Sequence, residues 1–100
     1  MNVLYVDDIR MPNVPYNFSH ISIVRSYDDA LKKMVTERFD AVDLDHDLGE
    51  DKTGYDIAKF IVEKGFNFQT IYIHTANPVG RQNMIDLLRR YTRSRIQVYS

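Results

Sequence analysis

The 100-residue sequence has no cysteine, and its four glycines and three prolines are scattered. Without cysteine there is no disulfide framework and no thiolate metal site. No apolar run approaches the roughly twenty residues that a membrane span needs. The first residues, Met1 to Asp8, lack the basic start and long apolar core of an export signal, so a cytosolic soluble protein is expected. Repeats, linkers and low-complexity segments are also missing, and net charge is close to balance at −1. The length suits one domain spanning residues 1–100, large enough to bury a core and too small for two.

What the chain does have is unevenly placed charge. Between residues 40 and 56 seven acids face one base, Lys52, whereas Arg81, Arg89, Arg90, Arg93 and Arg95 make the last fifth basic. Carboxylates at such density raise one another's pKa unless a cation or hydrogen bonds offset the repulsion. Spread over a loop they form a solvated acidic surface. At the tip of a strand they read as a divalent-metal or phosphate-chemistry site. The densest part, Asp45-His46-Asp47, follows the β-type run Ala41-Val42-Asp43-Leu44 and breaks at Gly49.

Periodicity supplies the elements around it. Residues 2–6 alternate and stop at Asp7-Asp8, which predicts a short strand ending in a polar loop. Residues 9–20 contain Pro12, Pro15 and no helical period, which predicts a crossover loop carrying His20 at the surface. A second strand is expected at 21–24. A helix capped by Ser26 follows, with Asp29 as a weak capping box and Leu31, Met34 and Val35 as its apolar face. The third strand is expected at 40–45. Thr53 with Asp56 is a second capping box, opening a helix through Ile57, Phe60 and Ile61 that Gly65 closes. A fourth strand is expected at 70–74. Asn77-Pro78 then sets a cap before a proline, and Met84, Leu87, Leu88 and Tyr91 give that helix its apolar face. Residues 95–99 form the last strand. Strands alternating with helices imply a parallel sheet with right-handed crossovers. In such sheets chemistry gathers beyond the C-terminal strand ends. Asp7-Asp8, Asp45-His46-Asp47 and His74-Thr75 each follow a strand, so three distant segments deliver acids and imidazoles to one rim.

These residues resemble a family. An acidic pair after strand one, an Asp ending strand three with Leu three residues on, and Thr-Ala after strand four are similar to a response-regulator receiver domain. Closer still, Leu4-Tyr5-Val6-Asp7-Asp8, Leu44-Asp45-His46-Asp47-Leu48-Gly49, Thr53-Gly54-Tyr55-Asp56 and the run from His74 to Arg81 resemble the cyclic-phosphate processing receiver family over residues 2–90. The resemblance implies a flavodoxin/receiver-like, five-stranded parallel sheet in the order 2-1-3-4-5 with three helices on one face. Counterparts of the receiver's first and last helices are missing from the sequence. It implies Asp7 and Asp8 as metal-binding acids, Asp45 at the phosphoacceptor position and Thr75 at the hydroxyl position. The lysine that receivers keep after strand five has no counterpart in the last residues.

The chemistry expected at the rim is the opening of a cyclic phosphate, such as a 2′,3′-cyclic phosphate RNA end or a cyclic nucleotide. Mg²⁺ or Mn²⁺ held by Asp7, Asp8 and Asp45, with Asp47 beside them, would activate water and bind phosphate oxygens. Asp45, His46 and His74 are the candidate catalytic residues, the two imidazoles serving as base and acid. Thr75, Asn77 and Arg81, at the start of a helix, are candidate phosphate contacts. The bland readings stand beside these: a strand-end turn at Asp7-Asp8, a solvated loop at Asp45 and Asp47, and a structural His46 turned into the helix layer.

Strand parity divides the sheet. Leu4, Val6, Val42, Leu44, Ile71, Ile73, Ile96 and Val98 form an apolar set; Tyr5, Asp43, Tyr72, Arg95, Gln97 and Tyr99 form the other. The second set predicts an open, tyrosine-rich face, partly covered by residues 11–18 and suited to a homodimer or protein partner. Two further functions therefore compete with the phosphoesterase. One is a catalytically silent receiver-like module that binds a protein through this face or the acidic rim. The other is a phosphoaccepting receiver using Asp45.

Overall fold

Five short runs dominated by β-branched and aliphatic residues form the sheet, and the polar stretches between them carry the helices. The computed structural model describes residues 1–99; Ser100, the last residue of the expected domain, lies outside them. The elements are β1 (Asn2–Val6), β2 (His20–Val24), α1 (Tyr27–Thr36), β3 (Ala41–Leu44), α2 (Gly54–Lys64), β4 (Thr70–His74), α3 (Pro78–Tyr91) and β5 (Arg95–Tyr99). All strand pairs are parallel and the order is β2-β1-β3-β4-β5. The receiver-like architecture expected from the sequence is present. His20 is exposed but opens β2 instead of ending the loop, and Asp40 and Asp45 fall outside β3.

Local chemistry fixes the helix limits. Ser26 accepts from the Asp29 N–H at the start of α1. The Thr53–Asp56 capping box is reciprocal, and Gly65 closes α2 in the left-handed region at φ 68°. Asn77 caps α3 by accepting from the Gly80 N–H, with Pro78 at the first helical position.

The main core lies between the helices and one sheet face. Leu4, Val6, Val42, Leu44, Ile71 and Ile73 pack there against Ala30, Met34, Ile57, Ala58, Ile61, Met84, Ile85 and Leu88. Each large aliphatic side chain buried in this way contributes about 1.5–3 kcal/mol. The apolar faces differ from expectation at their margins. Val35 and Tyr91 are exposed, and Ala30, Ala58 and Ile85 take buried places instead. Val98 is likewise exposed, because β5 is an edge strand.

The opposite face is covered more fully than parity alone suggested. The 7–19 loop folds across it and stacks the Tyr16 ring on Tyr72, centroids 4.2 Å apart. Val3, Ala41 and Tyr72 form a second small core with Met1, Tyr16, Ile21 and Tyr99 against it. Tyr5, Asp43 and Tyr72 are buried, and of the second parity set only Arg95 and Gln97 are fully exposed. The proline-containing loop needs no helix to do this, because Tyr16 supplies both ring area and a hydroxyl for Asp43.

Candidate functional site

Parallel register brings the ends of β1, β3 and β4 level, and the next residue of each chain segment builds the rim. The Asp45 N–H bonds the Val6 carbonyl and the Asp7 N–H bonds the Val24 carbonyl, which carries the ladder one step beyond the strands. Asp7, Asp45, His74 and Thr75 are all buried there. A cleft of about 340 Å³ opens above them, lined by Asp7, Asp8, Asp45, Asp47, Thr75 and Arg10 among others.

Asp7 turns the chain as well as facing the cleft. Its Oδ1 accepts from the N–H groups of Ile9 (2.9 Å) and Arg10 (2.8 Å), and its Oδ2 from His74 Nε2 at 2.9 Å. Burial opposes ionisation of Asp7. The two backbone donors and His74 outweigh it, so its pKa lies below the ordinary carboxylate value. Asp45 is shifted the other way, first by burial and then by the charge of Asp7, although His74, Thr75 and the His46 N–H partly compensate. Two buried carboxylates with one raised pKa form a pocket of negative charge that His74 offsets only in part, and a cation would relieve it further.

His74 occupies the floor. Its Nδ1 bonds Asp43 at 2.5 Å and its Nε2 bonds Asp7, so both ring nitrogens are engaged by carboxylates. Burial pushes the imidazole pKa down, but Asp43 and then Asp7 and Asp45 push it further up, which favours the imidazolium. Asp43 is itself held by the hydroxyls of Tyr16 and Tyr99. The Tyr5 ring stacks on the imidazole with centroids 4.8 Å apart and planes within 6°. Burial and the charges of Asp7 and Asp43 push the Tyr5 hydroxyl pKa up to about 12, so it stays protonated. The positive charge facing Asp7 and Asp45 thus comes from an imidazole at the end of β4. Asp7, Asp45 and His74 each offer a ligand atom, all within 4.8 Å of one another.

The other expected site residues lie at varying distance from this floor. Asp8 lines the cleft and contacts the turn at Gly49, where a Cβ would stand 2.9 Å from its Oδ2. Gly49 itself has φ 67°, a conformation glycine adopts without strain. Asp47 lies at the mouth, exposed, with Oδ1 3.0 Å from His46 Nδ1. His46 turns toward the helix layer and packs on the first turn of α3, where Gly80 leaves room for its ring; a Cβ there would come within 2.5 Å. His46 and His74 therefore do not share the cleft. Asn77 Oδ1 is taken by its cap bond, and Asn77 Nδ2 lies 3.4 Å from His46 Nδ1. Arg81 is half-buried on α3 and does not line the cleft. Arg95 pairs with Thr70 at the N-terminal end of β4, so the basic cluster Arg89 to Arg95 lies at the far end of the sheet.

Three participants were missed by reading the sequence. Arg10 lines the acidic cleft and also the smaller cavity of about 170 Å³ beside Tyr5, His74 and Tyr99. Its signal was the Asp7 side chain three residues earlier, a capping acid for the turn. Asp43 is the second. A carboxylate in mid-strand between apolar neighbours must find buried partners, and its parity matches Asp45 and His74. Tyr16 is the third, inside a loop with no period to read.

Comparison with known proteins supports the fold. A search of curated protein sequences gave no match. Among solved structures, response regulator protein TrrA from Thermotoga maritima, in complex with Mg²⁺–BeF, is 25% identical with a TM-score of 0.68. That match covers 99% of this chain and 86% of the other. A CheY-like response regulator receiver domain protein from Methanospirillum hungatei JF-1 shares the fold at 14% identity and a TM-score of 0.67, covering 97% of this chain and 79% of that one. The family model described as Cyclic-phosphate processing Receiver domain matches residues 2–90. That match spans most of the chain, so the chain belongs to the cyclic-phosphate processing receiver domain family.

Proposed function

We propose that this receiver-like domain is a metal-assisted phosphoesterase that opens cyclic phosphates, RNA ends or cyclic nucleotides among them. The observation that carries the reading is the convergence of Asp7, Asp8, Asp45 and Thr75 on one cleft at the C-terminal ends of three strands. The similar Thermotoga receiver was solved with Mg²⁺–BeF, and the Asp7–Asp45 pair, its charge offset only in part, fits a divalent cation such as Mg²⁺ or Mn²⁺.

Asp7, Asp8 and Asp45 would hold that cation, with Asp47 at the mouth. Bound there, it supplies Lewis-acid stabilisation of charge developing on phosphate oxygens. The chain's own groups do the rest. The Thr75 hydroxyl, now against Asp45, can turn its proton to a phosphate oxygen. Arg10 at the cleft wall offers a guanidinium fork to the same phosphate, a role for which it is better placed than Arg81. His46 lies outside the cleft wall with Nδ1 beside Asp47 at the mouth, so any proton it exchanges with the cleft would pass through that carboxylate or water. His74, with both nitrogens engaged, fixes Asp7 and supplies charge. Removing a general acid–base group typically costs a factor of about 10²–10⁴. The test is 2′,3′-cyclic nucleotide hydrolysis by wild type, Asp45→Asn and His46→Ala. Loss in both variants supports the reading; wild-type turnover in His46→Ala would remove that residue from the mechanism.

A second reading has one observation in its favour. Ile9 and Met11 expose apolar side chains on the loop after β1, Ile9 in the cleft wall, the kind of surface a protein partner covers. Tight partner binding without turnover would favour a silent binding module.

A further inference from the structure

We propose that the small cavity beside Tyr5, His74 and Tyr99 is a nucleobase site, so that the ligand of the adjoining cleft is a nucleoside phosphate and not a base-free one. The cavity lies outside the acidic cleft and shares Arg10 with it. The proposal rests on the phosphate-binding part of the function proposed above and not on turnover.

The first argument is an unpartnered donor. Tyr5 is 2% exposed, yet its hydroxyl bonds no described residue, whereas Tyr16 and Tyr99 both give theirs to Asp43. Among the described residues every fully enclosed side-chain oxygen and nitrogen has a partner. The Tyr5 oxygen is therefore open to water, and the cavity that Tyr5 lines is the way in. Stacking on the His74 imidazole keeps the ring from turning away. Burial and the charges of Asp7 and Asp43 keep the proton on the oxygen. A buried tyrosine hydroxyl normally finds its partner within the fold; here the acceptor comes from whatever fills the cavity.

The second argument is shape. The cavity holds about 170 Å³, roughly the volume of five or six waters at about 30 Å³ each. That is room for one heterocyclic base and well below the roughly 300–1,000 Å³ in which a whole drug-sized ligand sits. Flat groups wall it: the Tyr5 and Tyr99 rings and the imidazole that contacts both, with Met11 on the loop side. Stacking on such rings contributes about 1–3 kcal/mol per base. Asn13 adds an amide whose donor and acceptor match a base edge. Sugar and phosphate are left outside, and the cleft adjoins: Asp7 in its wall bonds His74 in the cavity wall at 2.9 Å.

The third argument is charge, which separates a base from a second phosphate. At the Tyr5 hydroxyl the negative charges of Asp7 and Asp43 outweigh the positive charge of Arg10. An anion there would be repelled, whereas a neutral ring with carbonyl acceptors would not. Arg10, common to both spaces, meets the phosphate from its cleft side. The loop that carries it is held in place. Arg25 donates to the carbonyls of Asp7 (3.0 Å) and Arg10 (2.6 Å) and reaches the Met11 sulfur, so this wall needs little ordering when a ligand enters.

The test follows ¹H–¹⁵N spectra of the whole chain in Mg²⁺ as uridine 3′-monophosphate or inorganic phosphate is added. The nucleotide should bind at least about tenfold tighter than phosphate, and the Tyr5 and Asn13 amides should shift with the nucleotide alone. Tyr5→Phe keeps the stacked ring and removes the donor. It should weaken the nucleotide by about tenfold and leave phosphate unchanged, with an unaltered circular dichroism spectrum. Asn13→Ala, on the exposed loop, should weaken the nucleotide by about threefold in the same selective way. Equal affinity for the two ligands, or an equal effect of Tyr5→Phe on both, would overturn the base site and leave the phosphoesterase reading standing. Nucleotide bound as expected, beside a 2′,3′-cyclic uridine phosphate that is not hydrolysed, would uphold the base site and overturn the phosphoesterase. Binding of neither ligand would overturn the base site together with the phosphate binding on which it rests.

Discussion

Replacing Asp43 with alanine removes an acceptor that serves three donors, and the structure sets the size of the loss. Asp43 is fully buried, and its oxygens take His74 Nδ1, the Tyr16 hydroxyl and the Tyr99 hydroxyl. Breaking a buried charged pair costs about 3–5 kcal/mol, because the remaining charge is left uncompensated. Asp7 still accepts from Nε2, which holds the loss toward the lower end of that range. The half-buried tyrosines can turn to water and add at most about 1 kcal/mol each. Asp43→Ala should therefore lose about 3–5 kcal/mol, a large share of the 5–15 kcal/mol typical of a domain. Asp43→Asn keeps an acceptor oxygen without the charge and should lose about 1.5–3 kcal/mol.

Urea unfolding followed by circular dichroism measures both variants, and its pH dependence separates charge from packing. The folded-state pKa of His74 is raised: burial pushes it down, and Asp43 followed by Asp7 pushes it further up. Its contribution to stability is then fully present below the unfolded value of about 6.5 and is lost as pH rises through the folded-state value. Without Asp43 the folded value falls, so the alkaline loss of stability in Asp43→Ala should be smaller than in wild type. Stability within about 0.5 kcal/mol of wild type, a range ordinary for surface changes, would refute the clamp, as would an unchanged alkaline limb.

Four further outcomes follow. In Gly54→Ala the new Cβ would overlap the Asp45 carbonyl and crowd His46 Cα. Backbone cannot turn aside, so a loss of about 3 kcal/mol is expected, lowering the melting temperature by about 12–24 °C. Gly65→Ala has open space around it but φ 68°, and should lose only about 1–2 kcal/mol; equal losses in the two would contradict the packing argument. Thr53→Ala removes one half of the α2 capping box and should cost about 1 kcal/mol by urea unfolding. Mn²⁺ at a hundred times its dissociation constant should add about 2.7 kcal/mol, seen as a melting temperature higher by about 10–20 °C in wild type and by much less in Asp45→Asn.

Much of this architecture could be read in the chain because local chemistry decided it. Asn77-Pro78, Thr53 with Asp56, and Gly65 each set a helix limit through bonds spanning at most a few residues. The alternation in β1, β3 and β4 fixed which side chains face the helices. The rim acids were legible for the same reason, since strand ends in a parallel sheet are level. What escaped notice depends on contacts between distant segments. Tyr16 reaches Asp43 across 27 positions and Tyr99 across 56, and neither separation leaves a mark in local periodicity. The partners of His74 were hidden for this reason: its parity pointed to the rim, but the carboxylates that engage both its nitrogens come from β3 and the end of β1. Arg81 was favoured over Arg10 because a helix start is easier to recognise than a turn made by one aspartate side chain.

The central claim is that the rim hydrolyses cyclic phosphates with a divalent cation, and one assay addresses it directly. Purified protein is incubated with a 2′,3′-cyclic nucleotide in chelator, in Mg²⁺ and in Mn²⁺, with Asp45→Asn in parallel, and ³¹P resonance follows conversion to the monophosphate. The account predicts turnover only with added metal, and its abolition in Asp45→Asn. Turnover that persists in chelator, or in Asp45→Asn with metal present, would contradict it.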